Sequence, residues 1–321
     1  MRAGDDGIVP PAGAGKRVGG TGAGIAAGIL SAACFGTSGT FGSALISAGW
    51  SPVGAVLARV TVAALALTVP AVLTLRGRWG LLRRSARQVV PYGLIGVAAC
   101  QVCYFNAIAR MDVGVSILLE YLGIVFIVGW LWARHGQRPR LLTVLGGIAA
   151  LGGLGLMLDL SGTGGVTLPG VMWALAAAVA MAVYVFQSAH TAQAAGETLP
   201  PVALTWGGMV TGAAALALLG VTHAMPLQVS AGDVSLLNSR VSWVLPVLGL
   251  GVVAAAIAYV TGIGAARRLG AKLGSFVAMA EVLFAAGFAW VLLHQVPTGT
   301  QFLGGALILA GVVAVRLDEA G

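Results

Sequence analysis

Two carboxylates and one guanidinium stand where water is scarce. Glu120 interrupts the apolar run VGVSILLEYLGIVFIVGWLW at residues 113–132, and Glu281 interrupts SFVAMAEVLFAAGFAWVLL at 275–293. Arg59 lies in a third apolar run, at residues 53–75. A charged side chain at the centre of a bilayer-spanning helix costs about 2.5–3.5 kcal/mol on insertion scales, so it is kept for a partner or a task. A carboxylate there can hold an ion pair, bind an amine or take up a proton. Arg59 and Glu120 each lie about seven residues into their runs from the same side, roughly 10 Å deep at ~1.5 Å per residue. That matching depth makes an Arg59–Glu120 pair feasible. Glu281 has no such cation, since Gly208 falls opposite Arg59 in the second half of the chain. A desolvated carboxylate without a cation is suited to proton exchange. The structural alternative is a buried ion pair joining two helices, with Glu281 neutral and hydrogen-bonded.

The elements that position these groups follow from composition. Of 321 residues 58% are hydrophobic and 9% charged, against roughly 25% charged in soluble domains. The chain is therefore expected to be an all-α integral membrane protein. Apolar segments of spanning length fall near 23–46, 53–75, 89–109, 113–132, 142–158, 169–192, 202–222, 241–264, 273–293 and 299–316. Ten transmembrane helices are expected, behind a Gly/Pro-rich tail at 1–21 that is too polar for a signal peptide and is expected to be disordered. Placing the amino terminus inside puts fifteen Lys and Arg residues in inner segments and only Arg110 and Arg240 in outer ones. That bias predicts a multi-pass protein of the cytoplasmic (plasma) membrane with both termini cytoplasmic. The net charge of +8 belongs to these loops and implies no nucleic acid.

An internal repeat divides the chain near Gly165. Pro91, Gly96, Val97, Ala99 and Tyr104 recur at an offset of 155 as Pro246, Gly251, Val252, Ala254 and Tyr259. Leu145, Gly146, Gly147, Leu151 and Gly153 recur at an offset of 158 as Leu303, Gly304, Gly305, Leu309 and Gly311. Glu120 and Glu281 fall between these blocks, at an offset of 161. The expected units are residues 22–160 and 166–316, with a short cytoplasmic tail at 317–321. An odd number of helices per half makes the repeats inverted, an architecture that places a substrate site near the midplane between the halves.

Further polar and aromatic residues join the candidate site: Tyr104, Asn106, Tyr121, Tyr184, Trp206 and Tyr259, with Thr37, Ser38, Gln101, Gln187 and Thr261 beside them. For any one of these, an interhelical hydrogen bond or ordinary packing is the plain reading; Tyr104 and Tyr259, related by the repeat, are expected as cavity walls. Pro70, Pro91 and Pro246 are kink sites that can free backbone carbonyls. Cys34, Cys100 and Cys103 are expected as small packing residues, and no metal site or cofactor is implied. No Walker A sequence and no H-E-x-x-H occur. Gly36-Thr37-Ser38-Gly39 matches G-x-S-G, but without a companion His-x-x-x-Asn it reads as a small-residue packing surface. His135, His223 and His294 fall in or beside loops. No enzyme is expected.

The pair Ala58-Arg59, the run YFNAIARMDVGVSILLEYLGIVFIVGWLWARHGQRPRLLTVLGGIAALGGLGLML and the closing FAWVLLHQVPTGTQFLGGALILAG resemble the drug/metabolite transporter superfamily, and within it the EamA-like members built of two five-helix repeats. LLEYLG is similar to a segment of threonine/homoserine exporter-like members, departing from it at Ile124, where those proteins carry Pro. The resemblance implies a secondary carrier that exports small polar metabolites such as amino acids, driven by the proton gradient, with Arg59, Glu120, Tyr121 and Glu281 carrying the site. The other readings are a carrier taking up a metabolite or nucleotide-linked compound, and a non-transporting polytopic scaffold or enzyme.

Overall fold

The computed structural model describes the backbone of residues 15–135, 140–157, 166–192, 199–236 and 239–318. Side chains are described within these ranges except at residues 15–21, 131, 134–135, 157, 184–192, 271–272, 275–276, 316 and 318. Helices account for most of it: α1 (Gly15–Ser47), α2 (Pro52–Leu75), the short α3 (Trp79–Arg84), α4 (Ala86–Ile108), α5 (Val113–Tyr121), α6 (Gly123–His135), α7 (Leu141–Met157), α8 (Leu168–Ala192) and α9 (Pro201–Val221). Then follow the strands β1 (Val234–Leu236) and β2 (Ser239–Val241), and α10 (Val244–Gly270), α11 (Ala280–Leu293) and α12 (Gly299–Asp318). Among the described residues, six helices are long and apolar enough to cross a membrane, and four shorter apolar helices accompany them. The first helix begins at Gly15, inside the segment expected as a tail.

Local chemistry sets the helix ends. Ser51 caps α2, its hydroxyl accepting from the Gly54 amide at 3.1 Å, and Pro52 takes the first helical position, where its missing N–H costs nothing. Pro201 opens α9 in the same way. Two prolines act inside helices instead. After Pro91, α4 widens to π-type turns over Tyr92–Ala99, and after Pro246, α10 does so over Gly249–Ile257. A proline cannot donate to the preceding turn, and one way to absorb the lost bond is a local widening. The helical stretch that begins in α10 continues to Ala278 but turns at Gly270, whose φ of 74° and ψ of 178° are open to glycine and strained for any other residue.

Helix packing follows one rule on both halves. The first helix packs against α10 and α11, and α8 against α4 and the α5–α6 pair. The second packs against the wide turns of α10, and α9 against those of α4. Helices α7 and α12 pack on each other, with Gly146 against the Gly311 carbonyl and Gly153 against the Gly304 carbonyl. Those four glycines are the ones the sequence pairs across the repeat. Exchanging the halves turns each contact into another that is present. At Gly153 an added Cβ would lie 2.5 Å from the Gly304 carbonyl oxygen, whereas at Gly152 it meets nothing within 4 Å. Gly152→Ala is therefore expected to stabilise by about 0.5–1 kcal/mol through helix propensity. Gly153→Ala is expected to destabilise by about 1–3 kcal/mol through overpacking. Thermal melting of the two purified variants separates them; equal melting points would mean that this crossing tolerates separation.

A strap that the sequence reads only as a loop ties the two halves at one end. After α9 the chain returns over the α1–α2 turn. There the Ser51 amide donates to Gln228 O at 3.0 Å, the Gln228 amide to Ser51 Oγ at 3.0 Å, and Trp50 Nε1 to Ser230 O at 2.7 Å. The hairpin follows, β1 antiparallel to β2 with Val234 opposite Val241, and Trp243 rests 5.9 Å from Trp50 between ring centroids.

Candidate functional site

Both glutamates sit at breaks in their helices. Between α5 and α6 the Leu122 amide bonds back to Leu119 O at 3.1 Å, and between Ala278 and α11 the Val282 amide bonds to Met279 O at 3.2 Å. Glu120 lies two residues before the first break and Glu281 two residues after the second. Such turns release backbone carbonyls from the helical ladder, which is tolerated inside a membrane where side chains or a cavity satisfy them. Gly123, just past the first break, lets α6 press on α8: a Cβ there would lie 2.5 Å from Ala178 O. Gly36 does the same for α1 against α11, with Ala285 N 2.9 Å from its would-be Cβ.

Successive residues on a helix point about 100° apart, so the pair Glu120-Tyr121 serves two neighbours at once. Glu120 turns to α4, where Cys100 Sγ donates to its Oε1 at 3.1 Å. Tyr121 turns to α11, its hydroxyl 3.2 Å from Glu281 Oε2 and 3.0 Å from Ala278 O. Tyr121 thus links Glu281 to the helix that carries Glu120. Both retain accessible surface although protein is packed densely around them. Each also lies within electrostatic reach of the other and of Arg59.

Arg59 is placed differently. It is 1% exposed and donates to Ser38 Oγ of α1 at 2.6 Å, to Gln101 Oε1 of α4, and to Ala254 O in the wide turn of α10 at 2.7 Å. The Phe105 ring lies 5.9 Å from its Cζ. Among the described residues no carboxylate comes within 4.0 Å of its nitrogens. The Arg59–Glu120 pair that matching depth makes feasible is therefore not a contact: neutral oxygens from three neighbouring helices hold the cation, and a thiol holds the acid.

The remaining candidates divide. Tyr104 is 3% exposed, packed against Gly39 and edge-on to Phe105, and its hydroxyl has no partner among the described residues. It is core next to the site rather than an open wall. Tyr259 is half-buried between Phe35, at 4.7 Å between centroids, and Tyr92, at 6.3 Å. Asn106 donates to Val102 O at 2.8 Å and accepts from Arg110, which is helix-end scaffolding. Trp206 donates to Thr68 Oγ1 at 3.2 Å and packs edge-on to Trp79, so no contact brings it to the acids. The side chains of Tyr184 and Gln187 lie outside the described residues. Sequence reasoning passed over Cys100, because a thiol in an apolar helix gives no signal until its neighbour is known. It also took Ser38 and Gln101 as ordinary polar residues, whereas they anchor Arg59. Among the described residues no cluster of His, Cys, Asp and Glu is arranged to hold a metal ion.

One family model matches this chain twice, over residues 22–159 and 168–317, and it describes the EamA-like transporter family. The chain belongs to that family. It is also 22% identical over 241 residues to a protein of Salmonella typhimurium strain LT2 named as an uncharacterized inner membrane transporter, YicL, covering 74% of this chain and 75% of the relative. Among solved structures, a crystal structure of 23% identity matches with a TM-score of 0.57, over 95% of this chain and 99% of the other, a likeness of fold. The family and the name of the relative both point to a multi-pass membrane transporter.

Proposed function

We propose that this protein is a secondary active transporter of the cytoplasmic membrane that exports small polar metabolites such as amino acids, coupled to the proton gradient. The observation that carries the reading is the hydrogen bond of Tyr121, the neighbour of Glu120, to Glu281, which brings acids far apart in the sequence within electrostatic reach of each other. Two carboxylates within electrostatic reach of one another and of a single cation make a site whose charge changes with each proton or amine it takes up. A substrate amine and a proton then occupy the same groups in turn, which is the minimum that exchange requires.

The proposed architecture is ten spans in two inverted repeats, with both termini cytoplasmic. The basic-residue bias, the double family match and the exchange-related contacts of α7 with α12 support it. An isologous contact pairs residue i of one half with j of the other and j with i, as Gly146–Gly311 and Gly153–Gly304 do. The halves then rock around the acids to give access from either side.

The test begins with the metabolites of the medium, compared with and without overexpression of the protein. The compound that rises furthest is then followed in proteoliposomes under an imposed pH gradient. Accumulation that depends on the gradient and on Glu120 is the expected result. A medium profile identical to the control, with membrane insertion confirmed, overturns export.

A further inference from the structure

We propose that Cys100 and Tyr121 are positioning residues that switch their single hydrogen between a carboxylate and a second acceptor, a backbone carbonyl, so that either acid can be neutralised while its donor keeps a partner. The inference rests on the reading of Glu120 and Glu281 as groups that take up a proton or an amine. A thiol and a phenol each carry one hydrogen, yet each here faces two acceptors. Cys100 Sγ is 3.1 Å from Glu120 Oε1 and 3.7 Å from Ala177 O on α8. Tyr121 Oη is 3.2 Å from Glu281 Oε2 and 3.0 Å from Ala278 O, the last carbonyl before the break.

One hydrogen cannot serve both acceptors well. A charged acceptor holds it roughly twice as strongly as a neutral one, so the ionised glutamate takes it. Once the glutamate is neutral, the preference falls and the carbonyl takes over. At Tyr121 a protonated Glu281 can donate its own hydrogen to Oη while Tyr121 donates to Ala278 O, so the Glu281 bond persists with its direction reversed and the phenol hydrogen passes to the carbonyl. A fixed donor with no second acceptor would lose its partner at this step. The same device serves both acids although thiol and phenol are not repeat-related, and each alternative acceptor lies on a different element: α8 for Glu120, the turn before α11 for Glu281. Neutralising an acid therefore moves the hydrogen of its donor onto a neighbouring element.

The ionisable groups facing Glu120 are Cys100 and Arg59, with Cys103, Tyr104 and Glu281 beyond them. Facing Glu281 are Tyr121, Glu120 and Arg59, with Tyr104 and Cys100 beyond. Cys100 reports on its own partner because the chain has only 3 cysteines. Cys34→Ala together with Cys103→Ala leaves a single S–H oscillator in the full-length protein.

Infrared titration of that variant in proteoliposomes is the experiment, with the Glu120 carboxyl C=O band assigned by its loss in Glu120→Gln. The S–H stretch is expected to move between two positions with the same pH midpoint as the Glu120 band, and to stop moving in Glu120→Gln. Cys100→Ala is expected to shift the Glu120 midpoint by about one pH unit, since a hydrogen bond to a charged group is lost, and Cys100→Ser to restore it. Tyr121→Phe is expected to move the Glu281 C=O band and leave that of Glu120 in place. If Glu120 titrates while the S–H band stays still, the switch is overturned and the transport reading stands. If neither carboxyl titrates while the folded protein is retained, both fall.

Discussion

Glu281→Gln is expected to abolish transport driven by a pH gradient while leaving the protein folded and membrane-inserted. Gln is nearly isosteric with Glu and retains an oxygen for Tyr121, so the contact 3.2 Å away survives and the helix break at Met279 is not disturbed. What disappears is the ability to be charged and to carry a proton. If a substrate amine pairs with this carboxylate, losing one partner of a buried charge pair costs about 2–5 kcal/mol, or roughly 30-fold to several thousand-fold in affinity. Downhill exchange of unlabelled for labelled substrate measures binding and rocking without net proton movement, so it separates two roles. Exchange retained with gradient-driven flux lost makes Glu281 the coupling group. Both lost make it a substrate ligand as well. Gradient-driven flux at the unmodified rate removes it from the transport cycle.

The acids were legible in the sequence because a carboxylate inside an apolar run of spanning length is costly wherever the helix points. Their position along each helix follows as directly, since residues count out at ~1.5 Å each along a helix. Azimuth does not. Arg59 and Glu120 count out to similar positions in their helices, but rotation about α2 turns the guanidinium to Ser38, Gln101 and Ala254, and rotation about α5 turns the acid to Cys100. Which way a helix faces depends on packing between helices that are tens of residues or more apart in the sequence, and a single chain does not encode that as a local pattern. The repeat did foretell part of it. Pro91 and Pro246, paired by the offset of 155, both precede widened turns, and the glycines paired at 158 meet across α7 and α12. Repeat-related side chains, by contrast, need not share an environment. Tyr104 is buried because Gly39 makes room for its hydroxyl, while Tyr259 stays half-buried beside Phe35. The strap and its hairpin went unseen because strands of three residues are too short for an alternating pattern to register.

Arg59→Lys is expected to be more damaging than Arg59→Met, the reverse of what charge conservation suggests. The guanidinium reaches α1, α4 and α10 at once because its planar fork presents donors in several fixed directions. Lysine keeps the positive charge but presents it as a compact ammonium on a different stem, so it cannot serve Ser38, Gln101 and Ala254 O together. A charge left buried without its acceptors costs about 3–5 kcal/mol. Methionine removes the charge and its desolvation cost, and leaves three oxygens to find other partners. Ser38 can bond back to its own helix and Gln101 can rotate, which leaves the Ala254 carbonyl as the main loss, about 1–3 kcal/mol. Melting temperatures in one detergent should therefore fall in the order Arg, Met, Lys. The opposite order for the two variants would mean that attraction between the cation and Glu120 or Glu281 outweighs the fork. Arg59 would then be a counter-ion acting over a distance, as matching depth along the helices suggests, and not a clamp on three helices. Repeating the melts in Glu120→Gln completes the decision. A clamp loses the same stability in either background, since its acceptors are untouched, whereas a counter-ion for Glu120 loses most of its effect once that acid is gone.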